Sequence, residues 1–186
     1  MSVVKDGRDE VILGSGHVYL TAYSGSLPPA TDDVTIEVAA NSVGRIQGGA
    51  SLEYAPTEYQ VVDDDNEIVK RFITKEDVTF KSGVLTWDLE NLAKLGAGNY
   101  TDNDTTGVRT LTIGGAKALT SYLLRFVHDK DDGHKLRVTM AATAGSGFTL
   151  TFAKDKETVV DANFGAISQS NGVMVEIRET YPVDPA

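Results

Sequence analysis

The sequence predicts a mainly β protein: an antiparallel β-sandwich or barrel with one short flanking helix and one long protruding hairpin. Its 186 residues include 18 glycines and are rich in threonine and valine, which favours strands over helices. Short runs of alternating apolar and polar residues recur between turns that contain glycine, asparagine or aspartate. Only one segment has leucines at helical spacing. The length suits a single domain over 1–186, with enough residues to bury a core.

The N-terminal part is predicted to contain an arm, a strand, a loop and a second strand. Residues 1–10 are polar and are expected to form an arm, either mobile or bound to a partner. Alternating apolar and polar residues predict a strand over Val11–Tyr23. Glycine and two prolines predict a loop over 24–33. The pattern VTIEV then predicts a short strand over Val34–Ala39 whose valines and isoleucine face inward.

The stretch from Gly44 to Gly96 has the strongest structural signals in the chain. Two extended runs, Ala50–Val62 and Glu67–Phe80, flank the turn-forming cluster Asp63–Asn66, which predicts a long hairpin over 50–80. Polar residues interrupt the alternation on both arms, so neither face is a clean core face. A hairpin of this length and composition is marginal in isolation. We therefore expect it to pair with something outside its own domain.

A third strand and a short helix are predicted to follow the hairpin. Asp88 stands at the N-cap position of a helix over 88–95, and Gly96 stands where a left-handed residue would end it. Glu90 and Lys94 are spaced for an ion pair between successive helical turns. The side chains expected to pack this helix on the core are Trp87, Leu89, Leu92 and Leu95.

From residue 96 onward the sequence predicts a loop, a series of short strands and a second arm. Glycine, asparagine and aspartate mark 96–107 as the loop, and two prolines mark 180–186 as an extended arm. Turn-forming residues separate the strands, and this spacing indicates an antiparallel sandwich or barrel. The predicted strands are Val108–Ile113, Leu119–His128, Lys135–Ala141, Gly147–Ala153, Thr158–Phe164 and Val173–Glu179.

The composition argues against several classes of function. A net charge of −10 and an isoelectric point near 4.7 oppose nucleic-acid binding, which needs clustered lysine and arginine. The chain has no cysteine, which excludes disulfides and thiolate metal sites. No apolar run approaches the length of a membrane span, and the N-terminus resembles no signal peptide. We expect a soluble protein that is made without export and does not contact a membrane.

No constellation of residues in the sequence predicts catalysis or a cofactor. His17, His128 and His134 lack the neighbours of a zinc site, so surface positions are favoured for the last two. The loop that opens at Asp102 starts like a calcium loop but has Ile113 where the twelfth-position glutamate is required. Segments rich in glycine and serine match neither a nucleophile elbow nor a phosphate loop. We predict that the protein is not an enzyme and holds neither a cofactor nor a metal.

Several motifs succeed one another in the central stretch: a Gly-Gly entry, SLEYAP, a hairpin with a polar tip, VTFK and NLAKLGA. In this order they resemble the tail tube, or major tail, proteins of long-tailed bacteriophages. The Gly- and Asp-rich loop after the helix and the longer first strand depart from the usual form of that family. The matching residues are Gly48, Gly49, Leu52, Glu53, Tyr54, Pro56, Val78, Thr79, Phe80, Leu89, Asn91, Leu92, Lys94, Leu95, Gly96 and Ala97.

The resemblance implies a structural virion protein with a β-sandwich and one flanking helix. Six copies would form a ring in which the long hairpins join into a β-barrel around a lumen. Stacked rings would form the tail tube through which double-stranded DNA passes into the host. The subunits would assemble in the host cytoplasm with other tail proteins such as the tape measure, tail tip and terminator. A hairpin too long for its own domain fits this assembly, because neighbouring copies would cover its edges.

The candidate residues for the ring interface and lumen lie on the hairpin. Acidic side chains that project into the lumen or line its rims would repel phosphates and keep DNA from adhering. The alternation does not decide which face of the hairpin turns inward. The arms 1–10 and 180–186 and the loop 96–107 are candidate contacts between rings. The hairpin residues are Glu53, Glu58, Tyr59, Val61, Asp63, Asp64, Asp65, Glu67, Val69, Arg71 and Ile73.

Two other interpretations remain open at the level of sequence. A related ring-forming tube or terminator protein of a contractile tail or injection machine would share the fold by resemblance. A β-sandwich that binds carbohydrate, as an adhesin module does, would need exposed aromatic residues clustered on one sheet face. The candidates for such a cluster, dispersed along the chain, are Tyr54, Tyr59, Tyr100 and Tyr122.

Overall fold

A seven-stranded antiparallel sheet and a two-stranded sheet form the framework of the described part of the chain. The computed structural model describes residues 15–84, 88–96, 98–115, 119–131, 133–145, 148, 150, 152, 154–155 and 158–181. The strands are β1 His17–Ala22, β2 Ile46–Val62, β3 Ile68–Val84, β4 Gly98–Asn103, β5 Val108–Ile113, β6 Ser121–Asp129, β7 Lys135–Thr143, β8 Val160–Ala166 and β9 Val175–Thr180. The α-helices are α1 Asp33–Ile36 and α2 Leu89–Lys94, and single 3₁₀ turns lie at Ala30–Asp32 and Ala39–Asn41.

The larger sheet has the strand order β1-β6-β7-β8-β3-β2, with β9 as a branch. One edge of β7 is shared, because β9 follows it from Lys135 to Met140 whereas β8 contacts it only at Ala142 and Thr143. The sheet therefore forks at β7. The arrangement is sandwich-like or barrel-like without being closed, and the predicted fold class is confirmed.

The hydrophobic core lies on one face of a curled sheet. Leu124 and Met140 stand opposite each other on β6 and β7 and are completely buried. Phe80 on β3 contacts Phe126 on β6, with ring centroids 5.7 Å apart. These two strands are three positions apart in the sheet, about 14 Å if it were flat. The sheet must curl to bring the two rings together.

The predicted helix is present as α2, with one change at its C-terminal end. The Asp88 side chain accepts a hydrogen bond from the Glu90 amide, as an N-cap does, and Glu90 forms the expected 3.0 Å ion pair with Lys94. The helix ends at Leu95 in a right-handed conformation, with φ −83° and ψ −4°. Gly96 is not left-handed, so the predicted glycine cap is wrong.

Three leucines pack α2 against the core. Leu92 and Leu95 are buried, and the half-buried Leu89 contacts the same cluster. This confirms the predicted packing role of the three leucines. Trp87, the fourth residue predicted to pack there, lies outside the described residues.

The segment predicted as a strand over Val34–Ala39 is instead helical, and that prediction is wrong. Ile36 is buried, but Val34 is 78% exposed and Val38 is 39% exposed, so the three apolar side chains do not share a face. The side chain of Asn41 donates a 2.9 Å hydrogen bond to the backbone carbonyl of Ile36. Such local bonds between side chain and backbone stabilise turns in place of a strand ladder.

The predicted loop over 96–107 is largely a second hairpin, which corrects the sequence analysis. β4 and β5 pair in register from Gly98 opposite Ile113 to Asn103 opposite Val108, and both contact α2. The Asn103 side chain accepts amide hydrogen bonds at the turn, where Gly107 is left-handed with φ +64°. β4 is polar and exposed, so its strand conformation comes from pairing with β5.

The remaining strands agree with the prediction except at their ends and at one segment. β5 has the predicted bounds, while β6, β7, β8 and β9 are shifted or extended by one or two residues. The predicted strand Val11–Tyr23 is shorter at its start, because β1 begins at His17 and neither Ser15 nor Gly16 is in a strand; residues 11–14 lie outside the described residues. Phe148, Leu150 and Phe152, within the predicted strand Gly147–Ala153, belong to no strand, although Phe148 and Leu150 still pack against the core. The arm 1–10 lies outside the described residues, as do 182–186 of the second arm.

Candidate assembly interface

β2 and β3 form a hairpin that extends far beyond the sheet. Their ladder runs from Ile46 opposite Val84 to Val62 opposite Ile68, so β3 also includes the predicted third strand. β8 pairs with β3 only as far as Thr79. All residues of Glu53–Asp77, here called the ribbon, are exposed. Its arms of about ten residues, each rising about 3.3 Å, give a protrusion of about 30 Å.

The ribbon has two unpaired edges. Within the described part of the chain β2 pairs only with β3, so the outer edge of β2 is open along its whole length. The opposite edge, on β3, has no paired strand beyond Thr79 among the residues that the structure describes. Each edge presents backbone N–H and C=O groups that can pair with another strand.

The turn at the tip is held by hydrogen bonds of Asp63. Its amide donates to the Glu67 carbonyl at 3.0 Å, and its side-chain Oδ1 accepts from the amides of Asp65 at 3.0 Å and Glu67 at 2.8 Å. Asn66 is left-handed, with φ +64°. The Asp63 carboxylate is therefore a structural cap. The carboxylates of Asp64, Asp65 and Glu67 have no ion-pair partner among the described residues.

Two bulges determine which ribbon residues share a face. Thr74 and Val69 are extra residues on β3, since the register shifts between Thr57 and Glu58 and again between Val61 and Val62. The core-side face, continuous with the buried Phe80, carries Tyr54, Pro56, Glu58, Gln60, Val62, Ile68, Arg71, Ile73 and Glu76. The outer face carries Glu53, Ala55, Thr57, Tyr59, Val61, Lys70, Phe72, Lys75 and Asp77.

Large apolar side chains are exposed on both faces of the ribbon. On the outer face Tyr59 stands opposite Phe72, and these side chains are 61% and 46% exposed. On the core-side face Ile73 is 57% exposed. A two-stranded ribbon has no second layer of structure that could bury the apolar groups on both of its faces. The exposed apolar residues are Tyr54, Tyr59, Val61, Val62, Ile68, Val69, Phe72 and Ile73.

The charged side chains along the arms are paired with one another. Glu58 contacts Arg71 at 3.2 Å and Glu53 contacts Lys81 at 3.1 Å. Lys75 contacts Asp77 at 2.6 Å, and Lys70 lies 4.6 Å from the centroid of the Phe72 ring. The hydrogen bond from Tyr54 to Glu76, at 2.7 Å, raises the pKa of the tyrosine.

This pairing divides the predicted lumen acids into two groups. Glu53 and Glu58 are in ion pairs, whereas the carboxylate excess lies at the turn Asp63–Glu67. The ribbon therefore has nearly neutral arms and an acidic tip.

A buried charge network on the face opposite the core was not predicted. Arg125 is completely buried, and its Nη1 lies 2.7 Å from Asp33 and 3.0 Å from Glu37. Arg137 Nε lies 2.6 Å from Glu37, and Arg178 contacts Asp33. Burial raises the pKa of Asp33, but the hydrogen bond and the charges of the arginines outweigh it and hold that pKa below its usual range. The network attaches α1 to β6, β7 and β9.

The histidines do not form a site. His128 is buried at the end of β6, with its Nδ1 2.6 Å from the Ser15 carbonyl oxygen, so the predicted surface position is wrong for this residue. His134 contacts Glu179 at 3.3 Å, and His17 is exposed. Among the residues that the structure describes, no three histidine or carboxylate side chains are grouped to hold a metal ion.

The four tyrosines considered for a carbohydrate site do not share a surface. Tyr54 and Tyr59 lie on opposite faces of the ribbon, and Tyr100 is on β4. Tyr122 packs against the core.

None of the helices in the described ranges is long and apolar enough to cross a membrane.

Comparison of the chain with protein-family models and with curated protein sequences finds no match. The resemblance of the central stretch to tail tube proteins therefore stays a prediction.

Proposed function

We propose that this chain is the tail tube subunit of a long-tailed bacteriophage. Copies form a ring through their ribbons, and rings stack into a tube that conducts the genome. The observation that carries the proposal is the ribbon Glu53–Asp77, which, among the described residues, is exposed on both faces and unpaired on both edges. The number of copies, six, comes from the family resemblance.

Two open edges favour a ring over a dimer. A two-fold contact would cover one edge of each ribbon and leave the other exposed. A ribbon that accepts a neighbour on each edge forms part of a closed barrel, in which no edge remains. The apolar side chains on its faces, such as Tyr59 and Ile73, gain cover in the same contact.

The width of the bore sets a further requirement. Six ribbons of two strands would give a barrel of about 12 strands, and barrels of about 16–18 strands are the ones that hold an aqueous channel. A DNA duplex needs a wider bore. A wider wall would need further strands from each copy, and β8, which pairs with β3 over Thr79–Val84 at the root of the ribbon, is the nearest.

The charges of the ribbon would let DNA pass through the bore without binding to its wall. Arg71, Lys75 and Lys81 are in ion pairs, and Lys70 lies over an aromatic ring. Whichever face of the ribbon would line the bore, each of these cations already contacts a carboxylate or an aromatic ring of the hairpin. The net charge of −10 adds general repulsion of the DNA backbone.

Electron microscopy of the concentrated purified protein tests the proposal. We expect rings or hollow tubes from the wild type, and monomers from Tyr59→Ser/Phe72→Ser at the same concentration. Burial of two aromatic side chains contributes a few kcal/mol, enough to raise the concentration needed for assembly at least tenfold.

Val34→Ser/Ile177→Ser is the matched control, because both side chains are exposed apolar groups away from the ribbon. It should assemble as the wild type does. A wild type that stays monomeric at every concentration contradicts the proposal. Glycan-array binding by that monomer would favour the carbohydrate-binding alternative.

A further inference from the structure

The two faces of the ribbon continue the two faces of the main sheet. At the root of the ribbon, Phe80 of β3 and Phe164 of β8 stand opposite each other and are buried in the core. Leu52 of β2 stands opposite Phe80 on the other side and packs against the same core. Lys81 and Asp161, on the same strands, are exposed on the opposite face. The core-side face of the ribbon therefore extends from the covered face of the sheet, and the outer face extends from its exposed face.

The body of the domain lies on the core side of these strands. Phe80 contacts Phe126 of β6, and the buried Leu92 and Leu95 of α2 belong to the same hydrophobic cluster. A compact domain of about this length is about 40 Å across. The ribbon is thus attached to a bulky body on one of its faces only.

A closed ring can hold that body on only one side of its wall. With β8 included, six copies would give about 18 strands, which at a spacing of about 4.8 Å and a tilt of about 40° form a wall about 35 Å across. Six bodies about 40 Å across do not fit inside such a wall. The core-side face of the ribbon therefore turns away from the axis of the ring, and the outer face turns toward it.

The charges on the outer face are balanced. Over β2, β3 and β8 this face carries three carboxylates and three lysines. Two of the lysines are in ion pairs of 3.1 Å and 2.6 Å with carboxylates of the same face, and the third lies over the Phe72 ring. The charged residues are Glu53, Asp77, Asp161, Lys70, Lys75 and Lys81.

We propose that the outer face of the ribbon lines the bore, and that ion pairs within this face, rather than an excess of acids, keep DNA from binding to the wall. The inference rests on the proposed function and assigns its inner surface. A phosphate could bind Lys81 or Lys75 only in exchange for the carboxylate that each lysine already contacts, so little free energy would be gained. The acids of the turn Asp63–Glu67 lie beyond the last residue pair of the ladder, at the end of this wall.

Two matched substitutions distinguish the faces. Glu53→Gln frees Lys81 on the outer face, and Glu58→Gln frees Arg71 on the core-side face. Each variant loses one carboxylate from an exposed ion pair and keeps the shape of the side chain. The measurement is the amount of a short DNA duplex that becomes resistant to nuclease when tubes assemble in its presence.

We expect tubes of Glu53→Gln to protect at least tenfold more duplex than wild-type tubes, because the freed lysines of all copies in a ring converge on DNA in the bore. Glu58→Gln should protect no more than the wild type, because the freed arginines lie outside the wall. Protection by Glu58→Gln, alone or together with Glu53→Gln, overturns the assignment of the faces. Protection by neither variant overturns the role of the ion pairs. Electron microscopy establishes that each variant forms tubes.

The cysteine-free chain permits a direct measurement of the same geometry. Thr57→Cys places a thiol on the outer face, and Gln60→Cys places one on the core-side face of the same strand, about 10 Å away. After assembled rings react with a maleimide gold cluster, electron microscopy should show gold in the hole for Thr57→Cys only. Gold in the hole for Gln60→Cys, or its absence there for Thr57→Cys, overturns this inference and leaves the proposed function standing. Absence of rings from the wild type overturns the proposed function itself.

Discussion

Asp33 lies among three guanidinium groups that no local sequence pattern connects to it. Its partner Arg125 is 92 residues away in sequence and completely buried. Removing one member of a buried ion pair leaves a charge without compensation, which costs far more than the net contribution of the pair itself. The attachment of α1 to the sheet therefore depends on the ionised form of this carboxyl group.

We expect Asp33→Asn to lower the free energy of unfolding by about 3 kcal/mol at pH 7, because the arginines lose a buried anion. Urea unfolding measures the change. Asp32→Asn is the matched control, since the neighbouring carboxylate belongs to no ion pair in the described part of the chain, and it should change stability by less than about 0.5 kcal/mol. Equal losses in the two variants would contradict the assigned role of the network.

The same substitution should reveal the pH dependence of the network. The pKa of Asp33 is lower in the folded protein than its usual value, so its stabilisation is fully present above the unfolded-state value of about 3.9. It is lost as the pH falls through the lowered folded-state pKa. The difference in unfolding free energy between wild type and Asp33→Asn should therefore be constant from pH 7 to 5 and shrink below pH 4. A difference that does not change down to pH 2 would contradict the prediction.

At the scale of elements, sequence reasoning succeeded where the signal is local. The turn cluster Asp63–Asn66 predicts the hairpin because it caps the turn by itself, and Asp88 predicts the start of α2 for the same reason. It failed where the pairing of two strands determines the local structure. β4 is a strand only because β5 lies beside it. The bulges at Thr74 and Val69 set the faces of the ribbon, and no pattern in the sequence marks them.

The N-cap of α2 gives a prediction at this scale. Asp88→Ala should lower the free energy of unfolding by about 1 kcal/mol, because the Glu90 amide loses its acceptor at the start of a six-residue helix that closes the core. Chemical denaturation measures the loss. Asp104→Ala, in an exposed turn, should be nearly neutral. An Asp88→Ala protein as stable as the wild type would show that packing of the leucines alone holds α2.

At the scale of the whole molecule, the excess negative charge of the hairpin lies at its turn and not along its arms, and this was not visible in the sequence. The acids on the ribbon arms appear in the sequence as one cluster with those of the turn, yet the folded hairpin pairs Glu53 and Glu58 with cations across the strands. What remains is a nearly neutral ribbon with exposed apolar side chains among its paired charges, and an acidic turn at its end. In the proposed ring, the contact between neighbouring ribbons would therefore depend on apolar burial and backbone pairing more than on charge.

Salt should test whether the proposed contact between ribbons is apolar. The Debye length is about 10 Å at about 0.1 M ionic strength and about 3 Å at about 1 M, so ion pairs between copies weaken as salt is added. Apolar contacts between ribbons are not weakened by screening, and repulsion between copies of charge −10 is reduced. We expect assemblies at about 1 M salt that are at least as large as those at about 0.1 M, measured by sedimentation velocity at one protein concentration. Dissociation of wild-type assemblies into monomers at about 1 M would contradict an apolar contact between ribbons.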